Sequence, residues 1–227
     1  MIEHVLKTVE TLHPRQTLVV VGHQAKLVKS KLRNRAINFA EQIPQLGTGH
    51  AVKIARDWWF RKPGNLLILS GDVPLISAGT LRKMITVHNR TNASLTLLST
   101  RLADPSGYGR VIRADNGRVQ DIVEQKEAGF SELKVKEVNT GLYCFQVSAL
   151  SEVIDHLTAE NSQNEYYLTD CVNLLSRQGK RVEAVVCDDW LEVMGVNSQI
   201  DLARMEKALQ TRCSEQQLTP GLATIDP

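Results

Sequence analysis

The chain has 227 residues, of which 42% are hydrophobic and 23% are charged, and its formal net charge is +2. These values are ordinary for a soluble globular protein, and they give no electrostatic reason to expect a nucleic-acid or membrane partner. The four cysteines show no metal-binding spacing, so we expect them to be reduced and the protein to be cytoplasmic.

The first hundred residues alternate between helical and strand patterns. Apolar residues recur at helical spacing at the N-terminus, and a continuous β-branched run then predicts a strand that is buried on both faces. The predicted elements are a helix at 1–12, a strand at 17–23, a basic helix, a strand at 37–42, a helix directly after QLGTGHA, a strand at 65–72, a helix at 80–91 and a strand at 93–102. This alternation favours an α/β fold with a Rossmann-like, mostly parallel sheet and helices on both faces.

The pattern changes after residue 103. Asp-Asn-Gly at 115–117 lies between two alternating segments and predicts a hairpin. The remaining predictions are a strand at 137–147, helices at 148–159 and 165–178, a strand at 181–187 and a polar helix at 198–217. The chain opens on a helix, although a sheet of this kind usually begins with a strand. Either the topology is a variant or an upstream strand is absent from this polypeptide.

Several polar residues and glycines lie at predicted strand ends and in loops. QLGTGHA, with Gly47 and Gly49, suits either a ligand-binding loop or a simple turn, and it does not match the P-loop or dinucleotide-binding patterns. Asp72 ends an apolar strand, where a carboxylate needs a partner, so it suits a magnesium ligand or a cap. The other candidates, taken singly, fit turns or caps better than they fit ligands.

Seven segments together are more specific than any one of them. EQIPQLGTGHA, LSGDVPLI, DPSGYGRVI, IVEQKEA, EVNTGLY, NEYYLTD and GVNS occur in the order, and with roughly the spacing, found in bacterial N-acetylglucosamine-1-phosphate uridylyltransferases. The chain resembles the pyrophosphorylase domain of that bifunctional family along its whole length. The resemblance implies that UTP and N-acetylglucosamine 1-phosphate are converted to UDP-N-acetylglucosamine and pyrophosphate, a step that supplies precursors of peptidoglycan and lipopolysaccharide.

The resemblance also implies roles for individual residues. It assigns Gln42, Gly47, Thr48 and Gly71 to nucleotide binding, and Asp72 and Asn197 to the binding of a Mg²⁺ ion. It assigns Gly109, Glu124 and Asn139 to the sugar phosphate, and Glu165, Tyr167 and Thr169 to the lining of the sugar side. It implies no catalytic side chain, because positioning and charge neutralisation carry this kind of phosphoryl transfer.

The sequence departs from the family at both ends. Family members begin with a strand, a glycine-rich L-A-A-G-x-G-T-R-M loop and a lysine in a P-K-V segment, whereas residues 1–6 match the helix that follows these features. We therefore expect residues 1–197 to form a nucleotidyltransferase domain without its first strand, which would leave exposed strand edges. Residues 198–227 should form a helix and the start of a connection to an absent β-helix domain, so we expect no acetyl transfer.

Two other interpretations remain open at this stage. The chain could be a catalytically silent remnant that binds a sugar nucleotide or a partner subunit, or a nucleotidyltransferase for another hexose 1-phosphate. A homo-oligomer is also possible. In-frame DNA upstream of Met1 that encodes the glycine-rich loop would favour a late start over a remnant.

We predict that the 227-residue chain releases little or no pyrophosphate from UTP, Mg²⁺ and N-acetylglucosamine 1-phosphate. The physical reason is that the family's loop for the triphosphate does not occur in its sequence. A coupled pyrophosphate assay beside a full-length family member checks this, and comparable turnover by the two proteins would contradict it.

Overall fold

The computed structural model describes residues 1–218, with side chains through residue 211. Its regular elements, in chain order, are α1 (Ile2–Glu10), β1 (Leu18–Val21), α2 (Ala25–Lys31), β2 (Asn38–Glu41), α3 (Thr48–Ile54), α4 (Arg56–Trp59), β3 (Asn65–Ile68), α5 (Ala78–Thr91), β4 (Leu95–Arg101), β5 (Arg110–Arg113), β6 (Val119–Val123), β7 (Glu137–Gln146), α6 (Val147–Val153), α7 (Asp170–Arg177), β8 (Val182–Cys187) and α8 (Gln199–Leu218). Short 3₁₀ turns occur at Glu132–Lys134, Ile154–His156 and Trp190–Val193.

Most predicted elements are present, but two helix starts differ from the prediction. α3 begins at Thr48, inside QLGTGHA, after Gly47 with φ of 96°. The helix predicted at 165–178 begins only at Asp170. Its first five residues are not helical because the backbone of Tyr166 forms hydrogen bonds with the segment before α3 instead. The predicted connection at 219–227 lies outside the described residues.

The long strand β7 organises the main sheet. It pairs antiparallel with β4 along one edge, and on its other edge it pairs with β3 at one end and with β5 at the other. β8 adds parallel to β4, and β6 adds antiparallel to β5. The prediction of an α/β fold is confirmed, but the mostly parallel sheet is corrected to a mixed one. β3, β4 and β8 do run in one direction, and β7 lies between β3 and β4 in the opposite direction.

Helices cover both faces of this sheet, as predicted. Alternate residues of β7 point to opposite sides, so that Tyr143 and Phe145 join one buried cluster and Leu142 and Cys144 join the other. The first cluster includes apolar residues of α3, α4, α6 and α7, and the second includes residues of α1 and α5. The sheet is thus a central layer with a separate apolar core on each side.

β1 and β2 form a separate two-stranded parallel sheet. Leu18 and Val20 of β1 pack against the same core as Leu66 and Ile68 of β3, although the described residues contain no pairing between these two strands. β1 was predicted to be buried on both faces. Val19 and Val21 are buried in a cluster with Leu6 and Leu32, whereas Leu18 and Val20 on the other face are half-buried. That the domain lacks a first strand stays a prediction.

Three cysteines, Cys144, Cys171 and Cys187, are buried free thiols, in agreement with the expectation of reduced cysteines. The side chain of Cys213 lies outside the described part of the chain. Among the described residues, no helix has the length and apolar character needed to cross a membrane.

Candidate functional site

The side chain of Gln42 reaches across the loop that precedes α3. Gln42 follows β2, and its backbone N–H donates to the carbonyl of Val21 at 2.8 Å, which extends the pairing of β2 with β1. Its Nε2 donates to the carbonyl oxygen of Gly47 at 2.9 Å and lies 3.1 Å from His50 Nδ1. Gln42, Gly47 and Thr48, which the sequence assigned to one nucleotide, therefore lie together at the start of α3.

This loop is fixed to a second segment far away in the chain. The backbone N–H of Tyr166 donates to the carbonyl of Leu46 at 2.8 Å, and the N–H of Gly49 donates to the carbonyl of Tyr166 at 2.7 Å. The Oγ1 of Thr48 accepts a further hydrogen bond from the N–H of Leu168 at 3.1 Å. Three hydrogen bonds thus join the QLGTG segment to the NEYYLTD segment.

The approach of these two segments explains the need for glycine at position 49. A Cβ atom there would lie 2.6 Å from Leu157 Cδ1 and 2.9 Å from the carbonyl oxygen of Tyr166. The sequence alone suited either a ligand-binding loop or a simple turn at these glycines. The close approach that the structure contains is to the chain itself, and contact with a base stays a prediction.

The second group of predicted residues surrounds Glu124. Thr169 Oγ1 donates to Glu124 Oε1 at 3.1 Å, and the other oxygen, Oε2, lies 3.1 Å from the Cβ position of Gly109. The backbone N–H of Asn139 donates to the carbonyl of Gly109 at 2.9 Å. Burial raises the pKa of the Glu124 carboxyl, and the hydrogen bond from Thr169 opposes this shift. Gly109, Glu124, Asn139 and Thr169 are therefore neighbours, as the resemblance implied.

A bulge in β7 places Asn139 and links it to a third group. Residues 140–142 stand opposite the single residue Leu98 of β4, because Tyr143 pairs with Leu97 and Asn139 pairs with Ser99. The amide of Asn139 donates to the hydroxyl of the buried Tyr143 at 2.6 Å. Gly141, with φ of 75°, brings its Cβ position to 3.1 Å from Ser70 Oγ. Ser70 lies two residues before Asp72, so the bulge contacts the segment that follows β3.

Asp72 and Asn197 meet around Gly195. The Cβ position of Gly195 lies 3.1 Å from Asp72 Oδ2 and 3.6 Å from Asn197 Nδ2, and the N–H of Val196 donates to the carbonyl of Asp72 at 2.9 Å. Within the described residues, no cluster of three or more His, Cys, Asp or Glu side chains could hold a metal. A pair of one carboxylate and one amide offers two oxygen ligands, which suits an ion that takes its other ligands from substrate and water.

Three other predicted residues are less directly connected to these groups. Gly71 lies between Ser70 and Asp72, and its Cβ position has only ordinary contact with Ile2, at 3.5 Å. The Cβ of Glu165 lies 2.9 Å from the Cβ position of Gly47, on the nucleotide side rather than beside Glu124. The hydroxyl of Tyr167 accepts a hydrogen bond from Gln163 Nε2 at 2.7 Å.

Behind Glu124 lies a cavity of about 350 Å³ between β6 and α7. Four carboxyl groups line it, those of Asp121, Glu124, Glu127 and Asp170. Burial, together with the negative charges of the other three, raises the pKa of Asp170 to about 6. His156 and Arg177 also line it, so the cavity carries basic as well as acidic side chains.

Comparison with known proteins identifies the family of the chain. The sequence model described as "Nucleotidyl transferase" matches residues 1–207.

The chain belongs to the nucleotidyl transferase family.

The chain is also 41%, 43% and 42% identical over 227 residues to proteins named "Bifunctional protein GlmU" from Clostridium tetani, Shouchella clausii and Enterococcus faecalis. Each match covers the whole of this chain but only 50%, 50% and 49% of the relative. The chain therefore spans about half the length of the curated relatives that it matches.

Solved structures agree on the fold of this nucleotidyl transferase. A crystal structure of UDP-glucose pyrophosphorylase complexed with UDP-glucose superposes with a TM-score of 0.71 at 15% identity, over 93% of this chain and 86% of that one. HddC from Yersinia pseudotuberculosis, complexed with GMP-PN, gives a TM-score of 0.63 at 15% identity, over 91% of this chain and 84% of the other. At such identities the likeness concerns the fold alone.

Sequence reasoning missed four residues that lie in or beside this candidate site. His50 contacts Gln42, Tyr143 holds Asn139, Tyr166 joins the two loops through its backbone, and Asp170 lines the cavity beside Glu124. His50 lies inside QLGTGHA and could have been considered there. Tyr166 contributes backbone atoms, which a residue type does not reveal.

We predict that Gly49→Ala destabilises the protein by about 2 kcal/mol, because the added methyl group would press on the backbone of Tyr166, which cannot move away as a side-chain end can. Urea unfolding followed by circular dichroism measures the change.

Gly79→Ala is the matched control, since a Cβ there lies 3.5 Å from Ser77 Oγ, in ordinary contact near the start of α5. The control should be as stable as the parent or up to about 1 kcal/mol more stable. Equal stability of Gly49→Ala and Gly79→Ala would contradict the prediction.

We also predict that Asp170→Asn makes stability less dependent on pH. A carboxyl whose pKa is higher in the folded state binds its proton more tightly there, so ionisation of Asp170 disfavours folding as the pH rises from about 4 to above 6. The variant should therefore gain about 2 kcal/mol relative to the parent at pH 7.5, and little at pH 4.

Urea unfolding at both pH values measures this difference. Asp155→Asn is the control, because the pKa of Asp155 is shifted in the opposite direction: a hydrogen bond from Arg56 lowers the pKa of this exposed carboxyl. That substitution should leave the protein no more stable at neutral pH. The idea fails if Asp170→Asn gives the same change at both pH values.

Proposed function

We propose that this chain is the uridylyltransferase domain of an enzyme that binds UTP, N-acetylglucosamine 1-phosphate and Mg²⁺ and whose reaction yields UDP-N-acetylglucosamine. A phosphate oxygen of the sugar phosphate attacks the α-phosphorus of UTP. The bond from that phosphorus to the bridging oxygen of the β-phosphate breaks, and pyrophosphate leaves with the electron pair. The proposal rests on membership of the nucleotidyl transferase family and on the seven segments described above.

One observation carries the proposal: the segment 165–169 contacts both groups of residues. At its start, Tyr166 is hydrogen-bonded to Leu46 and Gly49 in the nucleotide loop. At its end, Thr169 is hydrogen-bonded to Glu124, which lies beside Gly109. A ligand with a base at one end and a sugar at the other fits a site whose two halves are joined by five residues.

The nucleotide half has chemistry suited to uracil. Gln42 uses its amide nitrogen for Gly47, which leaves its carbonyl oxygen to accept a hydrogen bond from a base. The backbone of Gly47 and Thr48 lies at the N-terminus of α3, with Gly71 assigned to the same ligand by resemblance. These groups would bind and orient the nucleotide without taking part in bond breaking.

Asp72 and Asn197 would hold the Mg²⁺ ion. Gly195 lies between them. A Cβ atom there would come within 3.1 Å of Asp72 Oδ2, so a glycine at this position leaves room beside the carboxylate. Their oxygen donors fit a hard cation that keeps several water and phosphate ligands. When bound, the ion would supply positive charge that offsets the charge of the triphosphate. The chain itself supplies the two ligands and their spacing.

The sugar half would bind N-acetylglucosamine 1-phosphate through Gly109, Glu124 and Asn139. The amide of Asn139 is held by Tyr143, and Glu124 is held by Thr169, so both side chains are oriented before a ligand arrives. Glu165 and Tyr167 belong to the same segment and are assigned to the sugar side by resemblance.

The cysteines support a reaction without a covalent enzyme intermediate. Burial raises the pKa of Cys144 to about 12 and that of Cys187 to about 11, so neither thiol forms a nucleophilic thiolate near neutral pH. Their free, buried state also supports a location in the cytoplasm. Because the chain spans about half of its bifunctional relatives, acetyl transfer is not part of the proposal.

Calorimetric titration of the 227-residue chain with UDP-N-acetylglucosamine in Mg²⁺ buffer tests the proposal. We expect saturable binding, at least tenfold tighter than that of UDP-glucose, dTDP-glucose or GDP-mannose. Asp72→Asn should abolish the effect of Mg²⁺ on this binding, whereas Asp188→Asn, which makes the same charge change at an exposed position, should not alter it.

Each unexpected outcome has a distinct meaning. Tighter binding of another nucleotide sugar would favour a nucleotidyltransferase for a different hexose 1-phosphate. The absence of binding by every nucleotide sugar would refute the proposal and leave an interaction with a partner subunit as the remaining interpretation.

A further inference from the structure

The Gln42 side chain has two neighbours, and together they determine its orientation. One is the carbonyl oxygen of Gly47, at 2.9 Å, and the other is the Nδ1 atom of His50, at 3.1 Å. A carbonyl oxygen can only accept a hydrogen bond, so the Gln42 atom next to Gly47 must be the amide nitrogen. The same nitrogen lies next to His50, and it carries two hydrogens, one for each neighbour.

This assignment determines the tautomer of His50. The amide nitrogen of Gln42 has no lone pair available for a hydrogen bond, so the Nδ1 atom that faces it must be the acceptor. His50 is therefore neutral in this arrangement, with its proton on Nε2. An imidazole with a proton on Nδ1 would place one donor against another.

The remaining atom of the amide, Oε1 of Gln42, is then an acceptor, and none of the described residues donates to it. Uracil carries an N–H donor at N3, whereas cytosine has a lone pair there. An amide oxygen placed against N3 would bind the first base and repel the second. A reversed amide would have the opposite preference, but it would also set an oxygen against the Gly47 carbonyl and against His50 Nδ1.

We propose that His50 is a positioning residue that holds the Gln42 amide in the orientation selective for uracil. The inference rests on the proposed function, because it concerns the base of the same nucleotide. It adds a residue that sets the specificity for the base by orienting Gln42.

The surroundings of His50 contain few charges. The ring of Tyr166 lies 6.2 Å from the imidazole, centroid to centroid, and Lys53 Nζ lies 4.5 Å from the centroid of that same ring. Glu165, beside Tyr166, has its Cβ atom near Gly47, and Glu41, beside Gln42, is paired with Lys29. Among the described residues, His50 forms no ion pair with a carboxylate, so no contact of that kind holds a proton on it.

The tautomer can be measured without any ligand. ¹⁵N NMR of histidine-labelled protein at pH 8, with His50→Asn used to assign the signal, should show His50 protonated at Nε2 and unprotonated at Nδ1. The reverse tautomer would overturn the inference, whether or not the protein binds a nucleotide.

Binding of UDP and of CDP, measured by calorimetry, tests the specificity. The parent should bind UDP at least 100-fold more tightly than CDP. His50→Leu removes the acceptor and should weaken UDP about 5-fold, as expected for one lost hydrogen bond, and should reduce the preference over CDP by at least as much. His50→Asn offers an oxygen near the position of Nδ1 and should restore both. A folded His50→Leu protein with unchanged affinity and preference would overturn the inference.

No binding of UDP by the parent would count against the proposed function instead, and the NMR result would still decide the tautomer.

Discussion

The site depends on the pairing of Tyr166 with Leu46 and Gly49. These two backbone hydrogen bonds join positions about 120 residues apart in the chain, and the Thr48–Leu168 bond reinforces them. Without them, the loop before α3 and the segment before α7 would be independent surface loops, whose relative positions the sheet alone does not fix. Backbone groups make this contact, so the two segments can come this close only where no side chain lies between them. Gly49 meets this requirement, since any side chain there would contact the Tyr166 carbonyl.

Hydrophobic periodicity in the sequence was enough to predict most helices and strands, because α5, β4 and the β5–β6 hairpin each carry their own pattern and their own caps or turns. It was not enough to place β7 between β3 and β4, since nothing within a strand encodes which strands flank it. The helix start at Asp170 was missed for a related reason. The spacing of apolar residues at 165–169 suits a helix, but the backbone of Tyr166 is already bonded elsewhere. Long-range partners, rather than local preference, decided both cases.

The site residues also divide into those that the sequence could indicate and those that only long-range contacts reveal. Position at strand ends drew attention to Asp72 but could not separate a ligand from a cap, and only the family resemblance supplied a set of residues, most of which the structure then places side by side. Tyr143 is important because it forms a hydrogen bond with Asn139, and Asp170 because it lines the same cavity as Glu124. Asp170 lies with three other carboxyl groups in the cavity beside Glu124, which Arg177 and His156 also line.

The bulge in β7 limits how this protein can vary. Asn139 is in register with Ser99 and Tyr143 is in register with Leu97, so three residues of one strand span the distance that one residue spans on the other. Successive side chains in a strand point to opposite faces. Loss or gain of a single residue between positions 139 and 143 would force one of these registers to slip and would turn either Asn139 or the core residues Tyr143 and Phe145 to the wrong side. The length of this short segment is therefore constrained as well as the identity of its residues, and a change of one residue in that length would disrupt the pairing of β7 with β4.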